Sequence, residues 1–246
     1  IKSAEVTDYR RSLSLDSGLL EMGFSHSGIE YKRQYFCSWP AGIFVIRLGA
    51  GQAGRVSGEI ALSRILDPDC DVTGNSGIGE VTIKGNFEEG VPFAVAARVI
   101  NRGGRLTGGR TEYVPPPGEI PQKDINGLQF IFAEKETDEP PCGVSTSFDC
   151  ADEVLVLVSI ATGDESADPA GWCRERLASV EPSFDSLLSD HEADHRRLFD
   201  RVSLQLGKHS SDLPAEALVA DAVDTGKASP ELTEKLFDFG RYLAIV

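Results

Sequence analysis

Short apolar runs, alternating or continuous and separated by glycine-containing turns, fill the first two thirds of this 246-residue chain. That rhythm constrains the fold more than any other feature. Side chains of a strand point alternately to its two faces, so a period of two buries one face and exposes the other. Tyr9–Leu15 and Leu19–Ser25 are divided by Asp16-Ser17-Gly18, and Ile29–Cys37 follows the Ser27-Gly28 turn as the second arm of a hairpin. Gly42–Leu48 is apolar almost throughout, which predicts a strand covered on both faces. Arg55–Ile65, Gly79–Phe87, Phe93–Asn101 and Arg105–Glu112 continue at regular spacing. Within the third of these, Phe93, Val95, Ala97 and Val99 alternate with Ala94, Ala96, Arg98 and Ile100. Leu128–Ala133 and Val154–Ala161 bring the count to about ten strands. So many short strands with glycine-rich turns predict a mainly β fold, an antiparallel sandwich rather than an α/β fold. Val114-Pro115-Pro116-Pro117-Gly118 reads as a stiff spacer between strands, and Asp138-Glu139-Pro140-Pro141 as a second break.

The pattern changes at Asp168-Pro169. A helix is predicted from there to Val180, a second from Pro182 to about Val202, then a short strand Ser203–Leu206 and helices at Asp212–Thr225 and Pro230–Val246. Ser229 before Pro230 is a helix N-cap followed by proline at the first helical position. The last helix carries a wide apolar face that has to be buried against something. It is expected to be the first helix of a further helical domain.

His191-Glu192-Ala193-Asp194-His195 matches H-E-x-x-H, the pattern by which two histidines on one helix face grip a zinc ion with the glutamate as base. The helical period argues against that chemistry. Phe184, Leu187, Leu188, His191, His195, Leu198, Phe199 and Val202 fall on one stripe; Ser189, Glu192, Arg196 and Arg197 fall on the other. The histidines therefore continue an apolar seam, and Asp194 and Arg196 put charge where a zinc-protease helix is usually uncharged. Glu216, Asp221 and Asp224 lie downstream, but Gly207 and Pro214 interrupt the path and no third-ligand motif follows. The pair reads as packing histidines, and no metal ligand, cofactor-binding residue or catalytic residue is assigned.

The other acidic groupings carry no chemistry either. Glu88 and Glu89 are adjacent and would point to opposite faces of a strand. Asp67, Asp69 and Asp71, with Asn75 nearby, lack the spacing of a calcium loop and read as solvated charge. Gly49–Gly54 looks like a dinucleotide-binding turn but precedes a strand-like run, not a helix. No G-x-S-x-G elbow occurs.

With 24 basic and 39 acidic residues the chain carries a net charge of −15, which repels nucleic-acid backbones and anionic lipids but not neutral carbohydrate. No apolar run is long enough to span a membrane. The five cysteines, Cys37, Cys70, Cys142, Cys150 and Cys173, form no C-x-x-C pair; a Cys142–Cys150 bridge is left open.

The run YRRSLSLD (Tyr9–Asp16), SGIEYKRQYFCSWP (Ser27–Pro40) and FVIRL (Phe44–Leu48) resembles the N-terminal β domain of glycoside hydrolase family 95, which contains α-L-fucosidases. The likeness strengthens at ADEVLVLVSIAT (Ala151–Thr162), SLLSDHEADHRRLFDRVSLQLG (Ser186–Gly207) and LFDFGRYLAIV (Leu236–Val246), and is least distinctive at Gly74–Pro121. The resemblance implies a β super-sandwich over residues 1–166, a helical linker over 167–229, and at 230–246 the opening helix of an (α/α)6 barrel that the chain does not complete. It also implies that a similar histidine and aspartate occur in the linker without forming a zinc site. The family's catalytic residues lie in the barrel, and no position here matches them. The resemblance therefore implies a scaffolding part of an inverting fucosidase acting on terminal fucose of oligosaccharides, in contact with the barrel, needing no cofactor, and secreted or extracellular because such enzymes act on extracellular glycans. The alternative reading is a stand-alone carbohydrate-binding β-sandwich without catalysis, using Trp39 with Tyr35, or Tyr113, as a sugar platform; at Trp39, core packing is the competing role.

Overall fold

The computed structural model describes residues 6–64, 69–113, 122–125, 128–131, 142–207 and 213–245. Ile65, Asp67, the Val114–Gly118 spacer, the Asp138–Pro141 break, Ala133, Asp212 and Val246 lie outside the described residues.

The described chain is mainly antiparallel β, followed by four helices. Eight strands form one sheet: β1 (Val6–Ser14), β2 (Leu19–His26), β3 (Ile29–Ser38), β4 (Ile43–Ala50), β6 (Cys70–Gly77), β7 (Glu80–Phe87), β8 (Phe93–Arg102) and β13 (Glu153–Thr162). Their spatial order is β1-β2-β3-β4-β13-β8-β7-β6. A three-stranded sheet has the order β5-β12-β9, from β5 (Val56–Ser63), β9 (Arg105–Tyr113) and β12 (Cys142–Ala151); β10 (Gln122–Ile125) pairs with β11 (Leu128–Ile131). The helices are α1 (Pro169–Ser179), α2 (Phe184–Phe199), α3 (Ala215–Thr225) and α4 (Pro230–Ile245).

The large sheet is the middle of three layers. On one face Val81, Ile83, Ala97, Val99, Val154 and Val156 meet Val56, Val144 and Phe148 of the small sheet. On the other, Phe36, Ile43, Val45, Leu155 and Leu157 meet Ala170, Cys173 and Leu177 of α1 and Phe184 and Leu187 of α2. Strand β13 sits at the centre and feeds both cores, because successive side chains alternate faces. Its neighbour β8 puts Ala94 and Ala96 under α1, and these small side chains let the helix come close enough for the Cys173 thiol to reach the Ala94 carbonyl at 3.7 Å.

The helices begin where the sequence signals them. Asp168 caps α1 by accepting from the Gly171 amide at 3.0 Å, with Pro169 in the first turn. Ser229 caps α4 through the Leu232 amide at 3.1 Å. Arg98 of β8 donates to the Leu177 carbonyl at 3.3 Å near the end of α1.

Three expectations need correction. Strands β6, β10 and β12 were not anticipated. β6 (CDVTGNSG) and β12 (CGVSTSFDCA) are rich in glycine, serine and threonine, composition that reads as loop. In β12, Val144, Thr146 and Phe148 nevertheless all face inward, and the Thr146 hydroxyl accepts from the Gly79 amide at 3.0 Å and donates to the Thr107 carbonyl at 3.1 Å. The expected strand Ser203–Leu206 is irregular: its ends are held by side chains of α4 rather than by a strand, with Glu234 accepting from the Leu206 and Gly207 amides and Arg241 donating to the Leu198 and Val202 carbonyls. Val202 lies beyond the end of α2 and is exposed rather than on its apolar stripe. Cys150 is not in a disulfide, which settles the bridge to Cys142 that the sequence left open.

Leu157→Ala is expected to lower unfolding free energy by about 2–5 kcal/mol, because the side chain is fully buried and leaves a cavity. Ile160→Ala, on the same strand but 63% exposed, should change it by less than about 0.5 kcal/mol. Urea denaturation of the two variants measures the difference.

Candidate functional site

The apolar stripe of α2 is continuous with the histidines. Phe184, Leu187, His191, His195 and Phe199 are buried, while Arg196 and Arg197 face outward. His191 stacks on Phe36 of β3 with ring centroids 4.8 Å apart, and Phe36 meets Phe184 edge-on at 5.7 Å. His195 stacks on Phe199 at 5.4 Å and lies 6.0 Å from Tyr242 of α4. The two histidine rings are 5.9 Å apart, tilted by 31°.

The turn joining β1 to β2 closes this seam. His195 Nε2 donates to the Leu15 carbonyl at 2.8 Å, which fixes a proton on that nitrogen. Gly18 is in the left-handed region at φ 65°, and a Cβ there would stand 2.9 Å from His191 Nε2. The turn thus requires glycine twice over, for its backbone and for the ring above it. His191 Nε2 is buried without a hydrogen-bond partner. Burial, and next the charge of His195, hold the His191 imidazole below its usual range. Asp16 lies 3.7 Å from Arg196; its carboxyl is held below the usual range by the Ser14 hydroxyl first, with Arg196 and His195 assisting.

The residues that would do zinc chemistry are engaged otherwise. Glu192 is 3.2 Å from Arg196, one turn on, and Asp194 is 2.9 Å from Arg197. Among the described residues no three His, Cys, Asp or Glu side chains form a group that could hold a metal. Glu216, Asp221 and Asp224 sit on or beside α3, and α3 packs on α4. Glu88 and Glu89 are exposed in a bend after β7.

Beside the seam opens an apolar cleft of about 520 Å³ between the turn after β3, strand β13 and the ends of α2 and α4. Trp39, Phe44, Ile160, Leu198 and Ile245 line it together with the edge of the histidine pair. Trp39 is 85% exposed, which removes core packing as its role. Tyr35 is stacked on Phe44, with ring centroids 6.4 Å apart. Leu236, Phe239 and Leu243 of α4 are exposed as well. Uncovered large apolar side chains of this kind, on α4 and at the cleft, are chemically suited to bind a protein surface; Ser38, His191, Asp194, His195 and Arg197 also line the cleft. Of these residues, the sequence pointed to the apolar face of α4 and to Trp39. It gave no signal for Ile160 or for the part Gly18 plays under His191.

Comparison with known proteins divides the chain. Residues 1–115 match the model of the glycosyl hydrolase family 65 N-terminal domain, and residues 183–246 match that of the glycosyl hydrolase family 95 catalytic domain. "Alpha-L-fucosidase 2" of Arabidopsis thaliana is 25% identical over 257 aligned positions, covering 96% of this chain and 28% of the relative. "Probable alpha-fucosidase A" of Aspergillus niger is 26% identical, covering 98% of this chain and 29% of the relative. The chain thus spans less than a third of the length of these relatives. It is a distant relative of α-L-fucosidases over nearly its whole length, with a segment that matches a family 65 N-terminal domain ahead of one that matches the family 95 catalytic domain.

Neutral His191 is the form the fold accepts, so stability should be complete above about pH 6.5, where the unfolded histidine is also neutral, and should fall as pH drops below that value toward the depressed folded pKa. His191→Gln should flatten this limb in melting curves taken from pH 8 to 5. Gly18→Ala should lower stability by more than about 1 kcal/mol at any pH, from the positive φ and the crowding of His191 together.

Proposed function

We propose that this relative of family 95 glycoside hydrolases is the β domain and helical linker of an inverting α-L-fucosidase that removes terminal fucose from oligosaccharides. The β layers would occupy residues 1–166, the linker 167–229, and 230–246 would open the catalytic barrel. The observation that carries the reading is where the similarity to a catalytic domain starts. It begins at residue 183, and Ser183 is the N-cap of α2, the helix whose seam is welded to the β1–β2 turn and to β3. The helical region related to a catalytic domain is thereby rigidly fixed to the sandwich.

The fragment's part in catalysis is support. Inversion needs an acid on one side of the glycosidic bond and a base activating water on the other, with room for that water between them. None of the described carboxylates is paired in that manner across a polar pocket at the α2–α4 region; Asp194 and Glu192 are bound to arginines. The exposed apolar side chains Leu236, Phe239 and Leu243 of α4 would pack against further helices of the barrel. The substrate would be a neutral glycan, in keeping with the acidic surface, and the site of action extracellular.

The reading is tested by measuring hydrolysis of an aryl α-L-fucoside with this chain alone and with the protein that includes the sequence coding onward from it. The longer protein should release fucose, first as the inverted anomer by NMR, and the chain alone should not. Turnover by the chain alone, or none by the longer protein, overturns the proposal. In the chain alone, the double variant Leu236→Glu and Leu243→Glu should reduce self-association measured by light scattering, because it charges the uncovered face.

A further inference from the structure

The face of the large sheet that α1 and α2 cover is not apolar along its whole length. The strand registers lay it out in rows. Phe36, Val45 and Leu157 are aligned in one row under the helices. The next row along the strands is Ser12, Glu21, Gln34, Arg47 and Leu155, and the one after it Arg10, Gly23, Lys32, Gly49, Glu153 and Arg102. Two residues of travel along each strand therefore turn a hydrophobic core into a polar surface. The surface is concave: an open trough of about 940 Å³ lies over these two rows, bounded on the helix side by Arg47, whose guanidinium sits 4.8 Å from the Phe184 ring and 3.8 Å from Asp185.

Two features of the trough go beyond a solvated sheet face. The first is that its polar groups are held in place by one another. Glu21 accepts from Lys32 at 2.5 Å and from Gln34 at 2.8 Å; Glu153 accepts from Arg47 Nε at 2.7 Å and lies 3.9 Å from Arg102. Gln34 is only 8% exposed. The hydrogen bond from Lys32 keeps the Glu21 carboxyl ionised below its usual range. The second is the floor. Lys32 is flanked in its row by Gly23 and Gly49, both inside strands and both without positive φ. A Cβ on Gly49 would meet nothing within 4 Å, and one on Gly23 would make only an ordinary contact. Neither backbone conformation nor packing demands glycine there, yet interior glycine weakens a strand; a remaining physical reason for it is close approach of something from outside.

The lining identifies the chemistry of the visitor. Four cationic and five carboxylate side chains surround the trough, so it is close to neutral on a chain whose net charge is −15. An anion would have to displace carboxylates from their cations, and a cation the reverse. A neutral ligand dense in hydroxyls can donate to the carboxylates and accept from the guanidinium and ammonium groups without breaking either pair. The volume lies toward the top of the range of ligand sites, roughly 300–1,000 Å³, and fits several sugar rings rather than one.

We propose that this trough is a non-catalytic binding site for a neutral oligosaccharide, laid across Gly23 and Gly49 and gripped by the Glu21–Lys32–Gln34 and Arg47–Glu153–Arg102 groups. The site is formed by β1–β4, β13 and β8 and is separate from the apolar cleft beside the histidines. It stands on the trough's own chemistry, and the fucosidase reading can fail without it.

The test is calorimetric titration of the intact protein with lacto-N-tetraose, a neutral tetrasaccharide without fucose, and with its sialylated counterpart. Lacto-N-tetraose should bind. Gly49→Leu should weaken it at least tenfold, Gly49→Ala less, and the sialylated sugar should bind at least tenfold more weakly than the neutral one. Melting temperatures of both variants should equal or exceed that of the parent, since the added side chain meets open space. No heat from lacto-N-tetraose at concentrations on the order of 10 mM, equal affinity in Gly49→Leu, or preference for the sialylated sugar overturns the proposal. Loss of binding together with a lowered melting temperature in Gly49→Leu also overturns it, because the glycine would then be structural.

Discussion

Strand β13 is buried on both faces, and a strand of that kind can exist only if something covers each of them. Val154 and Val156 enter the core shared with the small sheet, while Leu155 and Leu157 enter the core shared with α1 and α2. The three-layer arrangement follows from this one requirement. So does the order of events along the chain: among the described residues β13 is the last strand, it inserts between β4 and β8, and the helices that follow return at once over the face that the small sheet leaves open. Because α1 lands on the small residues Ala94 and Ala96, the helical region is seated on the sheet rather than tethered to it. The histidine seam of α2 then extends the same contact to β3 and to the β1–β2 turn.

Strong local patterns were legible in the sequence. Gly42–Leu48 announces itself as doubly covered and Val154–Ala161 as a strand, and the structure pairs them as neighbours. The caps at Asp168 and Ser229 are encoded within three residues, and both form. The 3.6-residue period placed His191 and His195 among Phe184, Leu187 and Phe199, which is where they lie. What escaped depends on distant partners. β12 becomes a strand because β5 and β9 flank it and its buried Thr146 finds partners sixty-seven and thirty-nine residues away. Ser203–Leu206 has strand-like composition and is irregular because Glu234 and Arg241 of α4 hold the backbone around it.

The sites show the same division. A motif visible in the sequence, H-E-x-x-H, leads to two packed rings whose glutamate is tied to an arginine. The polar trough has no motif. Its residues come from six strands, and only the register brings Lys32 between two glycines and Glu153 between Arg47 and Arg102. Nothing in the sequence singles out Gly23 or Gly49 as a pair, since the space above them is a property of the assembled sheet.

We propose that the uncovered apolar side chains of α4, and Trp39 and Ile160 at the cleft, pack against further helices of a catalytic domain. Amide hydrogen exchange addresses it most directly, comparing this chain alone with the protein that includes the sequence coding onward from it. Slower exchange in the longer protein confined to α4, the turn around Trp39 and the end of β13 is the predicted result, because burial of that face suppresses local opening. Identical exchange in all three segments would contradict the account.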